Sequence, residues 1–286
     1  MYERQSIWHK RFVLKLPPPW TSDPIFQKYS FTNIYRELDR GTIYYKDKIL
    51  NPLLCESDPA TLLIATIAYR FFNRTDTWET CLYDFGRIGW DPNLYRTRLK
   101  TTNAKRSVFS ICTRMGSWQT GVGSDLVERI VDTIDYLYKN KDSLLEELMS
   151  SASPREAFNV LCSFPEVGTF LAWEIYSDLL YAEGEFFPWT ENDWAYAGPG
   201  AQIGLEMIWK RQHPIPWMSL DWYLEGLRAL QDDQKDSMRK LGLDFSSVCL
   251  EGKETLSLRN LEHWCCEFQK YEHGRTRRKF KCQVTV

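Results

Sequence analysis

The chain has 286 residues, 43% hydrophobic and 26% charged, with only 15 Gly and 13 Pro, which excludes a disordered, collagen-like or low-complexity polypeptide. Its 36 Lys and Arg against 38 Asp and Glu leave a net charge of −2, so a polyanion can be met only by a local basic face. No window reaches the ~18 apolar residues of a membrane span, and the opening MYERQSIWHKRFVLKLPPPW lacks an uninterrupted apolar signal segment, so no membrane partner is expected.

Residues 1–25 contain Pro17-Pro18-Pro19 and Pro24 and are predicted to form an extended surface arm. From Ser30 to Asp39 a Ser N-cap precedes Phe31, Ile34, Tyr35 and Leu38 at helical spacing, which predicts an amphipathic helix. On its polar side Asn33, Arg36 and Arg40 recur at i, i+3 and i+7, and Asp39 is placed to orient either arginine. Asp58-Pro59 is a cap followed by proline at the first helical position, opening an almost wholly apolar helix that ends in Arg70-Phe71-Phe72-Asn73. An arginine and an asparagine closing a buried helix need partners or a ligand. Residues 124–141 read as another amphipathic helix. Ser153-Pro154 then starts a helix over 154–163, which turns at Pro165–Gly168 into a second one. Stretches 200–211, 219–231 and 257–272 complete a mainly α chain, read as one two-lobed catalytic domain over 26–274 with a basic tail over 275–286.

The eight cysteines are scattered without a CxxC pair, which suits reduced thiols in cytosol or nucleus. His263, Cys265 and Cys266 do not share a helix face, so neither metal nor cofactor is expected. In the Phe164–Ala172 turn, Val167, Gly168 and Thr169 open the second helix, whose exposed amides can hold a phosphate, as can Arg277, Arg278 and Lys279 of the tail. In the helix LEHWCCEFQKY, His263, Glu267 and Lys270 fall at i, i+4 and i+7, setting a proton acceptor, a carboxylate and a cation on one face.

FPEVGTFLA resembles the helix-hairpin-helix of DNA glycosylases, with Glu166 in place of the first glycine and Phe170 where bifunctional members carry a lysine; Asp193 stands where those enzymes place an aspartate. The segment FTNIYRELD, the RFFN helix end, the loop Gly198-Pro199-Gly200-Ala201 and the EHWCCEFQKY helix, spanning about residues 26–275, resemble the helical domain of 5-hydroxymethyluracil DNA kinases and the related α-glutamyl/putrescinyl-thymine pyrophosphorylases. Those kinases join this domain to a P-loop domain, and GxxxxGK[ST] does not occur in this sequence, so phosphoryl transfer is not expected of this chain alone.

The resemblance implies a phage-type transferase that displaces pyrophosphate from hydroxymethyluracil in DNA with a small amine or amino acid. Arg36, Arg40, Arg70 and Lys270 would clamp the leaving group, and His263 or a carboxylate would accept the amine proton. Asn33, Asp39 and Asn73 would bind substrate, and Tyr35, Trp194 and Tyr196 would wall the extruded base. Its setting would be the cytoplasm of an infected cell, or the nucleus of a eukaryotic one. Two other readings fit the same residues: a glycosylase using Asp193, and a non-catalytic DNA-binding relative.

Overall fold

The structure, a computed structural model, describes residues 1–110, 125–209 and 219–273, and every regular element among them is helical. Local chemistry accounts for many of the helix starts. Asp23, Asp58, Asp91 and Ser153 each precede a proline at the first helical position and accept hydrogen bonds from first-turn amides. Ser219 and Ser257 do the same without the proline. The chain divides into two compact units, residues 1–39 with 191–286, and residues 40–190.

The first unit carries α1 (Tyr2–Trp8), α2 (Pro24–Lys28) and, from the C-terminal half, α12 (Pro199–Trp209), α13 (Leu220–Lys240) and α14 (Leu258–Glu272). Helices α12 and α14 meet backbone to backbone. A Cβ on Gly200 would stand 2.5 Å from Cys266 Sγ, and one on Gly204 would stand 2.1 Å from the Cys265 carbonyl oxygen. Gly198–Ala201, expected as a loop, is thus the first turn of α12 and its entry to a tight helix crossing, because Pro199 stands at the first helical position. Its Gly198 amide donates to Glu262 on α14 at 3.3 Å.

Two expectations fail in this unit. The predicted extended arm is helical over Tyr2–Trp8 and buries Arg4, Gln5, Ser6 and Ile7, because the prolines begin only at residue 17 and leave the preceding amphipathic run intact. The predicted helix over residues 30–39 is a loop with one 3-10 turn, Arg36–Leu38. Asp39 Oδ1 accepts the Asn33 amide at 2.9 Å, and the Asn33 carboxamide donates to the Leu38 carbonyl at 2.8 Å. Short polar side chains here satisfy the backbone in place of a helix.

The second unit is built on α5 (Pro59–Phe72), buried from Ala60 to Phe72 and flanked by α4 (Asn51–Glu56), α8 (Leu126–Lys139), α9 (Lys141–Met149) and α11 (Thr169–Leu179). It also holds α3 (Arg40–Tyr45), the single turn α6 (Thr75–Thr77), α7 (Pro92–Asn103) and α10 (Pro154–Ser163). Helices α10 and α11 form the expected hairpin. Its turn puts Glu166, not a glycine, in the left-handed region at φ 62°, with its carboxylate 3.6 Å from Arg129 Nε.

Candidate functional site

The strongest concentration of buried ionisable groups in the first unit lies where the 31–39 loop meets α14 and α1. Asp39 sits at its centre. Its Oδ1 accepts from the Asn33 amide and, at 3.0 Å, from Asn33 Nδ2, which leaves Oδ2 facing His263 Nε2 at 3.2 Å. Asn33 Oδ1 accepts in turn from Arg4 Nη2 at 2.8 Å, while other Arg4 hydrogen bonds go to the Thr32 and Phe31 carbonyls. One turn along α14, Glu267 is buried at 3% exposure, accepts the Thr32 amide at 3.3 Å and pairs with Lys270. Arg36 is buried too, its amide held by Asn260 Oδ1 at 2.8 Å.

The electrostatics follow from this packing. Burial works against a charge on His263, yet Asp39 outweighs it and raises the imidazole above its ordinary 6.5, with Arg36 opposing and Glu267 assisting. Burial also lowers Arg4 to about 10 despite the nearby carboxylates of Asp39 and Glu267. Asp39, Arg36 and Glu267 thus act on one titratable ring, with Arg4 held against Asn33 and Lys270 against Glu267. The imidazole already has a carboxylate orienter.

A second network fixes the loop from below. Asn260 Nδ2 donates to Glu37 Oε2 at 3.1 Å, and Glu37 meets Lys253 at 2.5 Å and Arg259 at 3.1 Å; both cations also pair with Glu191. Burial opposes ionisation of Glu37, but Arg259 and Lys253 hold its carboxyl down to about 2. Tyr35 is fully buried, donates to the Lys253 carbonyl at 2.9 Å and packs against Phe245, so it is core and not a wall for a base. Arg4, Asn260 and the Glu37 network escaped the sequence reading, because no spacing along the chain links residue 4 or 37 to α14.

Several sequence-predicted site residues are occupied by the protein itself. The polar atoms of the Asn33 carboxamide are engaged by Arg4, Leu38 and Asp39, so Asn33 positions Asp39 instead of contacting substrate. In the second unit, Arg70 grips Asp178 through Nε at 2.5 Å and Nη2 at 2.6 Å, and its Nη1 lies 2.8 Å from Glu174 and 3.2 Å from Asn73 Oδ1. Arg70 therefore balances buried carboxylates of its own unit and has no nitrogen left over for a leaving group. Asn73 is the left-handed C-cap of α5, at φ 47°. Arg40, exposed at the start of α3, belongs to this second unit as well.

Trp194 is buried and Tyr196 half-buried, while Asp193 lies exposed in the turn over 191–193, its carbonyl held by Arg228. In the hairpin, Val167 is buried and its amide is spent on the Phe164 carbonyl, which removes it as a phosphate donor; Gly168 and Thr169 are exposed. His263 faces Asp39, Cys266 Sγ lies against Gly200 and the Cys265 backbone lies against Gly204. Arg277, Arg278 and Lys279 lie outside the described residues.

No solved structure matches the chain. A 5-hmdU DNA kinase of Bacillus phage SP10 is 28% identical over 284 residues, 95% of this chain and 43% of that protein, so the chain spans less than half the length of this relative. The family described as "5-hmdU DNA kinase, helical domain" matches residues 1–279, and the chain belongs to that family.

Proposed function

We propose that this chain acts on 5-hydroxymethyluracil in DNA and that the reacting group meets the Asp39–His263 cluster of the first unit. The observation that carries the proposal is the imidazole 3.2 Å from a carboxylate that is itself held by Asn33, with Arg36 and Glu267 acting on the same ring. The relative's activity on 5-hmdU supports the substrate.

At finer resolution the reading is pyrophosphate displacement. The amine nitrogen bonds to the exocyclic methylene carbon, the carbon–oxygen bond to the pyrophosphate breaks with its electron pair leaving on oxygen, and the ammonium proton passes to His263. Lys270 and Arg36 stabilise the departing charge, and Asp39 stabilises the imidazolium. To the amides at the start of α11, from Gly168 and Thr169, we assign a phosphate of the DNA backbone.

Incubating the protein with DNA bearing 5-(pyrophosphorylmethyl)uracil and candidate amines, followed by nucleoside mass spectrometry, should give aminated thymine. A second reading is favoured by the name of the relative: the same cluster would bind the free 5-hydroxymethyl group for phosphorylation. ATP-dependent phosphorylation of hydroxymethyluracil DNA, without amination, would select that reading. Abasic sites formed without amine would select a glycosylase.

A further inference from the structure

Near its N-terminus the chain carries a surface that the chemistry above does not use. Helix α1 runs on into a wider turn, His9–Val13, and the chain is then exposed from Phe12 to Pro19. Phe12, Val13, Leu14 and Leu16 are 54%, 50%, 53% and 47% exposed. The loop is nonetheless held in shape. The Leu14 amide donates to the His9 carbonyl at 3.0 Å and the Leu16 amide to the Lys10 carbonyl at 2.9 Å. Its two ends are tied by Lys10 Nζ donating to the Trp20 carbonyl and by the Trp20 indole donating to the Leu16 carbonyl, at 3.0 and 2.7 Å. The Arg11 guanidinium lies over both Phe12 and Trp20, 4.9 and 5.0 Å from their centroids. Four apolar side chains in water on a pre-ordered loop mark a surface that gains by being covered.

The charge around them points to what covers it. His9, Lys10, Arg11 and Lys15 stand among the apolar residues, and no Asp or Glu occurs between Glu3 and Asp23, so an anionic partner fits. The position of the loop selects among anions. The helix that ends in it carries Arg4 onto Asn33, the residue that holds Asp39, and eight residues at the helical rise put Phe12 roughly 12 Å along the axis from Arg4. We infer that the Phe12–Leu16 loop is an apolar wedge that enters the DNA stack where the target base leaves it, with Arg11 and Lys15 on the flanking phosphates. This rests on the reading that the Asp39–His263 cluster acts on a base extruded from DNA.

The test uses Phe12→Ser/Leu14→Ser, whose side chains are exposed, on duplex DNA with 2-aminopurine beside hydroxymethyluracil or its pyrophosphorylated form. The wild type should raise 2-aminopurine fluorescence several-fold on binding, and the variant should leave it within about twofold of free DNA. The variant should also lose at least tenfold in duplex modification while modifying single-stranded DNA, where no gap needs filling, at close to the wild-type rate. A variant that unstacks the reporter as the wild type does, or that loses both substrates equally, overturns the wedge. So does a wild type that leaves the reporter stacked and binds phosphatidylserine vesicles through this loop. Should the wild type modify neither substrate, the functional reading fails, while the fluorescence arm still decides the wedge.

Discussion

Arg70 in one unit and Asp39–His263 in the other are both buried ionic clusters made of the same kinds of side chain, yet they are built to opposite ends. Around Arg70 a bidentate fork meets Asp178, fully buried, and the remaining nitrogen meets Glu174 and Asn73. Every charge there has its partner. Around His263 the ring meets Asp39, Arg36 and Glu267, and Asp39 raises its pKa above the ordinary 6.5. One cluster is a permanently charged fork, whereas the other turns on a titratable ring held by one carboxylate, the property that the proposed chemistry uses. Burial and residue type alone do not separate the two.

The largest effect should come from breaking the saturated cluster. Arg70→Met leaves Asp178 and Glu174 buried without their cation and should cost about 3–5 kcal/mol in denaturant unfolding. A loss below about 1 kcal/mol would show that Arg70 is not holding the second unit together.

Lys270→Ala should behave the other way. Glu267 retains the Thr32 amide as a donor, so stability should fall by only about 1 kcal/mol, while turnover on pyrophosphorylated DNA should fall on the order of 100-fold. Equal losses in stability and turnover would erase the distinction between the clusters.

Asp39→Asn sharpens it through pH. Asp39 raises the His263 pKa, so the variant's imidazole should titrate lower and the ascending limb of a base-catalysed pH–rate profile should move to lower pH. Stability carries the same sign. A raised folded pKa contributes stability fully below 6.5 and loses it as pH rises through the folded value, so the gap between wild type and variant should be wider near about pH 5.5 than near about pH 9. NMR titration of the ring and unfolding at the two pH values check both expectations.

A smaller effect concerns the network beneath the loop. Glu37, held down to about 2 by Arg259 and Lys253, contributes stability that is present above its ordinary 4.5 and lost as pH falls through about 2. Glu37→Gln should therefore flatten the loss of stability between those pH values, and an unchanged acid limb would place the sensitivity elsewhere.

The helix starts were legible from residues alone. Asp58-Pro59 and Ser153-Pro154 cap their helices as read, and Asp91-Pro92, passed over in the sequence, opens α7 by the same rule. The His263–Glu267–Lys270 face of α14 was legible too, because i, i+4 and i+7 spacing on a capped helix is a local property. The 30–39 segment misled because its apolar spacing was helical while Asn33 and Asp39 offered the backbone a competing set of hydrogen bonds.

By itself, then, the sequence determined a mainly α chain, the caps at Asp58 and Ser153, and the shared face of His263, Glu267 and Lys270 on α14, since each depends on neighbours within a few residues. Only the tertiary structure decided which partners the polar residues meet. Asn260, 224 residues away, holds the Arg36 backbone amide and Asp178, 108 residues away, holds the Arg70 guanidinium, and long-range pairing of this kind leaves no local pattern in the chain.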